Sequence, residues 1–304
     1  MQYHNNILST IGNTPLVKIN FESRAAIYAK LEYLNPGGSI KDRSALAMIE
    51  DAERQGLLRP KGTIIEASSG NQGIALAMIG AVKKYRVIIT VSKKASEERK
   101  NAIHSYGAKL VVCPVVERYD DPRGCWAVAK RLAREIPHAF MPDQHFNLAN
   151  PDAHYRSTGP EIWRQTRGKI THFFAAAGTA GTISGTGKYL KKKNPNVKIF
   201  GVDAANSYFS TKGNQKPYQI EGMGIDHDTP ILNLEAIDKM IPVPDRQALR
   251  MMKLMTKQFG LLIGPSSGAV AYAVQKYAHK LAKDDLAVFI IADSGRAYLT
   301  KKYY

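Results

Sequence analysis

The stretch Asn35–Arg43 reads NPGGSIKDR and places one lysine directly behind a proline and two glycines. The proline argues against a helix running through this stretch, and the glycines let the backbone turn sharply and come close to a ligand. The residues that follow, SALAMIEDAERQG, put Ala45 and Ile49 on one helical face. This pattern predicts a helix that begins at Lys41 and stops at Gly56.

The position of Lys41 suggests chemistry. A helix N-terminus carries positive partial charge, which disfavours a second positive charge beside it. If the site also excludes water, the pKa of the lysine amine falls, and a neutral amine is a nucleophile. The alternative is a solvated surface lysine, which is the commoner situation for this residue type.

Composition places the chain among globular enzymes and binding proteins. Its 304 residues suit one large or two medium domains, and 44% are apolar and 23% charged. No apolar run approaches the roughly 18 residues of a membrane span, and the N-terminus lacks the features of a signal peptide. We therefore expect a cytoplasmic protein without membrane contact. Cys113 and Cys125 form no CxxC pair and the eight histidines show no ligand spacing, so no disulfide framework and no metal site is predicted.

The charge balance is strongly basic, because 43 Lys and Arg residues against 26 Asp and Glu residues leave a net charge of +17. Such a surplus attracts polyanions. The basic residues nevertheless occur in short groups near the ends of predicted helices, without interleaved aromatic residues. Solvated helix faces are the favoured interpretation, no nucleic-acid partner is predicted, and a basic binding protein remains an alternative.

Strand-like and helical runs alternate along the chain. The strand-like runs are TIIEA, VIITV, KLVVCPV, THFFAAAG, VKIFGVDA and LAVFIIAD, and the helical runs begin near Gln72, Ser96, Trp126, Gly181, Arg246 and Gly268. This alternation predicts an α/β fold with mostly parallel sheets covered by helices. The polar, turn-prone segment Asn147–Pro151 is a plausible seam between two α/β halves. Ligands of such sheets bind in the loops that follow the strands.

Two of these loops combine small polar residues with a predicted helix start. Ser68–Gly73, SSGNQG, follows TIIEA and can form a nest of backbone N–H groups for a carboxylate. Gly264–Ala269, GPSSGA, precedes a late helix. For both, an ordinary serine or asparagine helix cap is the alternative.

A third loop, Gly178–Thr182, reads GTAGT and follows THFFAAAG. A strand, a glycine turn and a helix N-terminus together form a phosphate cradle. The loop lacks the lysine of a nucleoside-triphosphate loop. Asp203 ends the next strand, where a ribose-binding acid would lie, so a nicotinamide-dependent oxidoreductase remains an alternative from a different class.

Four motifs in this order and spacing, NPGGSIKDR, EASSGNQGIALA, GTAGT and GPSSGA, resemble the pyridoxal-phosphate β-replacement family of cysteine synthases and cystathionine β-synthases. The likeness runs from IGNTPLVKI at residue 11 to DSGRAYLTK at residue 293. It implies fold type II, the tryptophan synthase β-like fold, with two three-layer α/β domains and the cofactor in the cleft between them. It also implies a homodimer.

The resemblance assigns residues 1–150 to a domain with the cofactor lysine and the substrate loop, although the first 35 or so residues can pack on the other domain. Residues 151–304 then carry the phosphate loop. Lys41 matches the lysine that holds the cofactor as an internal aldimine and later takes the Cα proton. Asn71 matches the amide that hydrogen-bonds the hydroxyl of the cofactor ring, and Ser266 matches the hydroxyl that faces the pyridine nitrogen. The phosphate loop matches Gly178, Thr179, Ala180, Gly181 and Thr182, and the substrate-carboxylate region matches Ser68, Ser69, Gln72 and Gln144.

The activity that the resemblance implies is β-replacement on serine or an O-activated serine such as O-acetylserine, through an α-aminoacrylate. Sulfide as acceptor gives cysteine, and homocysteine gives cystathionine. DQHFNLANPDAHY, from Asp143 to Tyr155, is more similar to cystathionine β-synthases. O-phosphoserine as donor, a nitrogen nucleophile as acceptor and an inactive relative that keeps the fold remain open.

The sequence departs from the family pattern at four positions, which are Ala67, Gln72, Ala180 and Pro265. Ala180 replaces a usual glycine, and we expect little consequence if its φ is negative. Gln72 replaces a usual threonine beside the substrate carboxylate, so we expect it to influence the preferred donor.

Overall fold

The computed structural model describes residues 1, 3–68, 70–116, 121–301 and 303–304. Its strands are β1 Leu16–Lys18, β2 Ala26–Leu31, β3 Thr63–Ala67, β4 Arg86–Ser92, β5 Lys109–Cys113, β6 Ala139–Phe140, β7 His172–Ala176, β8 Lys198–Ala204, β9 Lys239–Val243 and β10 Leu286–Ile291. Its α-helices are α1 Lys41–Arg54, α2 Asn71–Lys83, α3 Glu97–Ser105, α4 Cys125–Glu135, α5 Ala149–Ala153, α6 Gly159–Gln165, α7 Gly181–Lys193, α8 Asp245–Phe259 and α9 Pro265–Tyr277. None of the helices among these residues has the length and apolar character needed to span a membrane.

The chain divides into two compact units. The first unit consists of Met1–Ile11 and Asn35–Ala149, and the second of Gly12–Leu34 and Asn150–Tyr304. Both are α/β units with mostly parallel sheets, as the strand and helix alternation predicts.

The first unit is built on a parallel sheet of four strands in the order β5-β4-β3-β6. β3 is buried along nearly its whole length, which explains why most of its residues are apolar. The helix α2 is also apolar, and Ile74 and Ile79 lie in the same core as Ile64 and Ile89 of the sheet. Since the strands are parallel, the loops after β3 and β6 emerge at the same edge.

The second unit contains a sheet of six strands in the order β1-β2-β10-β7-β8-β9. All neighbours in it are parallel except β1 and β2, which pair antiparallel. Lys30 of β2 is fully buried, lies 2.9 Å from a Glu161 carboxylate oxygen and donates to the Thr14 carbonyl at 3.0 Å. These contacts fix the early segment of the chain within this unit.

Several elements differ from the sequence-based expectation. β9 is absent from the predicted strands. It contains Pro242, and as an edge strand it tolerates a residue that cannot donate a ladder hydrogen bond. The segment Asn147–Pro151 was predicted as a turn-prone seam between the two halves, and helix α5 begins within it at Ala149. Pro151 lies in the first turn of that helix, where its missing N–H has no helical partner to lose.

Candidate active site

Helix α1 begins at Lys41, as the sequence predicts. The loop before it folds back onto the first helical turn, where the Gly37 N–H donates to an Asp42 carboxylate oxygen at 2.6 Å. A Cβ atom at Gly37 would lie 2.4 Å from the other Asp42 oxygen, and Gly38 has a φ of +84°. The two glycines therefore permit the tight turn that brings Lys41 to the helix start.

The Lys41 amine is electrostatically unusual. Burial lowers its pKa from 10.5 to about 8, and the charge of Glu66 acts in the opposite direction. A lysine with this pKa is neutral in an appreciable fraction of molecules near neutral pH. This removes the interpretation of Lys41 as an ordinary solvated surface lysine.

The loop Ser68–Gly73 lies at the end of β3 and opens helix α2. The Ser68 hydroxyl accepts hydrogen bonds from the backbone N–H of Gly70 at 3.3 Å and of Gly73 at 3.1 Å, so it acts as a helix cap. Ser69 lies outside the described residues. Asn71 is the first residue of α2 and is partly buried.

Gln72 occupies the first turn of α2 and is only 1% exposed. Within the described part of the chain, neither its amide oxygen nor its amide nitrogen has a hydrogen-bond partner. A buried amide in this condition costs roughly 1–3 kcal/mol, and a bound polar ligand would recover that free energy. Gln72 is therefore a candidate recognition group.

Two further groups of the first unit lie at the edge where β3 and β6 end. Gln144 follows β6 and is 8% exposed. Glu66 is buried within β3, and its carboxylate accepts from the Ala67 N–H at 3.0 Å. Burial and the charge of Asp143 raise the pKa of Glu66 to about 8. Sequence reasoning missed Glu66, although a single acid inside the apolar run TIIEA was the available signal.

In the second unit, the glycine turn Gly178–Thr182 joins β7 to helix α7. Ala180 has a φ of +63°, in the left-handed region, so the condition under which this alanine was expected to have little consequence is not met. Glycine is usual in this conformation because Cβ crowds the backbone there. A Cβ atom at Gly181 would lie 2.1 Å from the Asn150 side-chain oxygen, so glycine is required for close packing at that position.

Two buried side chains hold the hydroxyls of this turn. Asn150 donates to the Thr179 hydroxyl oxygen at 3.1 Å. His154 Nε2 lies 3.2 Å from the Thr182 hydroxyl, and its Nδ1 lies 2.9 Å from the Thr158 hydroxyl. His154 begins a single π-helical turn, a rare element that often marks functional sites. Sequence reasoning used neither Asn150 nor His154.

The late serine loop has two distinct hydroxyls. Helix α9 begins at Pro265, and Ser266 and Ser267 lie in its first turn. The Ser267 hydroxyl accepts from the Ala292 N–H at 2.9 Å and so ties the helix to the end of β10. Ser266 is buried, and a Cβ atom built on Gly222 would lie 3.6 Å from its hydroxyl oxygen.

Asp203 is engaged by protein groups. It is fully buried, accepts hydrogen bonds from the hydroxyls of Ser207 and Ser210, and accepts one from the Ile225 N–H at 3.1 Å. An acid that binds a ribose must present its oxygens to the ligand. The nicotinamide hypothesis thereby loses its main residue.

The family model described as "Pyridoxal-phosphate dependent enzyme" matches residues 7–293. The chain belongs to this family of pyridoxal-phosphate-dependent enzymes. It is 43% identical to a cystathionine beta-synthase of Apis mellifera over 97% of this chain and 60% of that protein. It is 42% identical to a cysteine synthase of Staphylococcus aureus over 98% of this chain and 96% of that protein.

Among solved structures, the chain is similar to an O-acetylserine dependent cystathionine beta-synthase from Helicobacter pylori. The TM-score is 0.91 at 34% sequence identity, and the match covers all of both chains. The family resemblance and the type II fold expected from the motifs are thereby confirmed, as is the cofactor class.

The observed side chains suit pyridoxal phosphate. An amine whose pKa is lowered to about 8 suits an aldehyde, because only the neutral amine attacks a carbonyl carbon. The N-terminus of the 13-residue helix α7, with the hydroxyls of Thr179 and Thr182 held in place, suits a phosphate group.

Proposed function

We propose that this chain catalyses β-replacement, in which a sulfur nucleophile displaces the oxygen substituent on the β-carbon of serine or O-acetylserine. Homocysteine as acceptor gives cystathionine and belongs to transsulfuration, whereas sulfide gives cysteine directly. The observation that carries the proposal is the lowered pKa of Lys41 at the start of α1 in a chain of this family. The family comparisons with cystathionine beta-synthases and cysteine synthases support the same reaction class.

Lys41 is the proposed catalytic residue. Pyridoxal phosphate, when bound, supplies an electron sink that makes the Cα proton of an amino acid acidic. Lys41 would hold the cofactor through its aldehyde, and its neutral amine would accept the Cα proton at Nζ. Burial supports both tasks, because it lowers the pKa of the amine towards neutrality.

The turn Gly178–Thr182 is the proposed phosphate site, with backbone N–H groups of Gly178, Ala180 and Gly181 and hydroxyls of Thr179 and Thr182 as donors. The helix dipole of α7 favours an anion at this end. Asn150 and His154 keep the two threonine hydroxyls in fixed orientations, which lowers the entropy lost on binding.

Asn71 and Ser266 are proposed to orient the cofactor ring, through its hydroxyl group and its pyridine nitrogen respectively. The Ser266 hydroxyl is neutral, unlike a carboxylate, and therefore leaves a pyridine nitrogen unprotonated. The electron sink is then weaker, so expulsion of the β-substituent is favoured over reactions that need a long-lived carbanion.

The substrate carboxylate is proposed to bind Ser68, Ser69, Gln72 and Gln144. Gln72 supports this assignment most directly, because its buried amide nitrogen has no partner among the described residues and a carboxylate oxygen would supply one. The amide is longer than the threonine usual in the family. This difference changes the group beside the substrate carboxylate, so O-phosphoserine as donor is the second candidate reaction.

A homodimer, which the family resemblance implies, and a cytoplasmic location are part of the same proposal. A nitrogen nucleophile in place of sulfur would be a variation of the same reaction class.

Absorbance spectroscopy of the purified protein with pyridoxal phosphate tests the proposal. We expect a visible band that changes when serine or O-acetylserine is added and returns when one acceptor, sulfide or homocysteine, follows. The donor and acceptor pair that completes this cycle identifies the reaction, with product analysis by mass spectrometry. A protein that takes up no pyridoxal phosphate would contradict the proposal.

A further inference from the structure

Asp203 lies in the same unit as the turn Gly178–Thr182 and is the last residue but one of strand β8. Because β7 and β8 pair in parallel, with Ala176 opposite Val202, Asp203 lies level with Ala177, the residue before that turn. The Ala177 N–H donates to the Val202 carbonyl at 2.8 Å, so the two strands stay paired up to this point. Asp203 therefore lies at the carboxyl edge of its sheet, where the ligands of parallel sheets bind.

Both oxygens of the Asp203 carboxyl group are engaged by the protein. Oδ1 accepts from the Ile225 N–H at 3.1 Å. Oδ2 accepts from the hydroxyls of Ser207 and Ser210, the latter at 2.6 Å. The Phe209 N–H in turn donates to the Ile225 carbonyl at 3.0 Å. A buried carboxylate is costly unless donors satisfy it, and here the donors come from two stretches of one long connection, which Asp203 thereby joins to the end of β8.

Residues 222–225, GMGI, form a short segment that is hydrogen-bonded to the ends of both strands. The Gly224 N–H donates to the Ala177 carbonyl at 2.9 Å, and the next N–H along the chain donates to Asp203. Gly222 and Gly224 have φ values of +86° and +116°, a conformation that favours glycine. The two hydrogen bonds and the two positive φ values together define the course of the segment 222–225.

The same segment lies next to two groups of the proposed cofactor site. A Cβ atom built on Gly178, the first residue of the phosphate turn, would lie 2.8 Å from the Gly222 carbonyl oxygen. A Cβ atom built on Gly222 would lie 3.6 Å from the Ser266 hydroxyl oxygen. The Gly222 backbone is therefore a neighbour of both Gly178 and Ser266, and a displacement of this backbone changes the surroundings of both residues.

We propose that Asp203 is a positioning residue of the cofactor site, because its carboxylate holds the segment 222–225 against the turn Gly178–Thr182 and beside Ser266. Asp203 acts through the backbone of the segment. When the carboxylate is removed, the Ile225 N–H loses its partner and the segment is free to shift away from the turn. The roles of the turn and of Ser266 rest on the proposed function, whereas the hydrogen bonds of Asp203 do not.

Hydrogen–deuterium exchange of the full chain tests whether Asp203 holds the segment. Asp203→Ala removes both carboxylate oxygens. We expect amide exchange in the peptide that contains residues 222–225 to become about tenfold faster or more, because the loss of a hydrogen bond to a charged group shifts a local opening equilibrium by about that factor. Unchanged exchange in this peptide overturns the proposal.

Titration of the cofactor-free protein with pyridoxal phosphate, followed by absorbance, tests the positioning role. Asp203→Ala should lower the affinity about tenfold and shift the absorbance maximum of the bound cofactor, because the surroundings of the phosphate turn and of Ser266 change. Asp203→Asn retains Oδ1 as an acceptor for the Ile225 N–H, so its affinity should stay within about threefold of the wild-type value. An unaltered affinity and spectrum in Asp203→Ala, or equal losses in the two variants, overturns the proposal.

Asp238→Ala is the matched control. The Asp238 carboxylate also accepts from a backbone N–H of β8, that of Ile199 at 2.7 Å, but at the opposite end of the strand. This variant should lower the free energy of unfolding in urea while the affinity for pyridoxal phosphate stays within about twofold of the wild-type value. A loss of affinity equal to that of Asp203→Ala would assign the effect to general destabilisation of the sheet and overturn the proposal.

Circular dichroism of each variant verifies that the fold is retained. If Asp203→Ala does not fold, Ser210→Ala serves as the second variant, because it removes the hydroxyl that donates to Asp203 at 2.6 Å. It should lower the affinity for pyridoxal phosphate about threefold or more, and an unchanged affinity then overturns the proposal. The proposed function fails separately: a wild-type protein that binds pyridoxal phosphate but completes no β-replacement refutes the function and leaves the exchange and affinity results intact.

Discussion

Gly181→Ala tests how the proposed phosphate site is packed. The added Cβ atom would lie 2.1 Å from Oδ1, 2.6 Å from Cγ and 2.9 Å from Nδ2 of Asn150. Such distances are too short for any real contact, so the Asn150 side chain must move. Because Asn150 is 1% exposed, its surroundings leave little free space into which the side chain could move.

The cost follows from two contributions. Overpacking a dense site costs about 1–3 kcal/mol. Moving Asn150 also breaks its 3.1 Å hydrogen bond to Thr179, whose net value is about 0.5–1.5 kcal/mol. We therefore expect a loss of about 1.5–4.5 kcal/mol, divided between the stability of the second unit and the affinity for pyridoxal phosphate. A share of about 1.4 kcal/mol in binding lowers that affinity tenfold.

The assay combines urea unfolding with titration of the cofactor-free protein by pyridoxal phosphate, followed by absorbance. Asn150→Ala removes the obstructing side chain, so Gly181→Ala should cost about 1–3 kcal/mol less in that background. Gly187→Ala in the same helix is the control, since its Cβ would meet its nearest neighbours at 3.1 Å and does not meet Asn150. Strictly additive effects of the Gly181 and Asn150 substitutions would refute the reasoning.

Three further predictions concern the lysine, the left-handed alanine and the buried amide. Lys41→Ala should abolish turnover while the circular dichroism spectrum persists, and retained β-replacement would contradict this. In the wild-type protein, the rate at which the Lys41 amine captures pyridoxal phosphate should rise with pH to a midpoint near 8, because burial lowers the pKa of the amine. A midpoint near 10.5 would contradict this second expectation. Ala180→Gly should change the free energy of unfolding by less than about 0.5 kcal/mol, since relief of the left-handed strain, about 1–2 kcal/mol, offsets the lost methyl group and the added chain entropy. Ala153 has a φ of −52°, so Ala153→Gly serves as the comparison and should lower the free energy of unfolding by about 2 kcal/mol. Equal decreases for the two variants in urea unfolding would count against strain at Ala180. Gln72→Thr should change the ratio of kcat/KM for O-phosphoserine to kcat/KM for O-acetylserine by about tenfold, because one hydrogen bond to a charged group is lost. The cofactor spectrum should stay unaltered. An unchanged ratio would show that Gln72 does not select the donor.

The alternation of buried strands and amphipathic helices made much of the fold predictable. β3, β4, β7, β8 and β10 are mostly apolar, as expected for strands buried on both faces of a parallel sheet. β1 and β6 have three and two residues, too few to show a period, and their pairing partners alone make them strands. The π-helical turn that begins at His154 was not predictable either, because it is short and no residue preference indicates it.

The start of α1 at Lys41 and the turns that open α2, α7 and α9 were determined by the sequence itself, because glycine, proline and small polar residues act on the backbone locally. Whether the amine at that start is reactive depends on burial, and burial is a property of the packed chain. Only the tertiary structure brings Glu66 and the Asp143 turn to one sheet edge, across 77 positions of sequence that no local pattern connects. The sign of φ at Ala180 likewise does not follow from the residue itself, because alanine disfavours the left-handed conformation that it adopts in the folded turn.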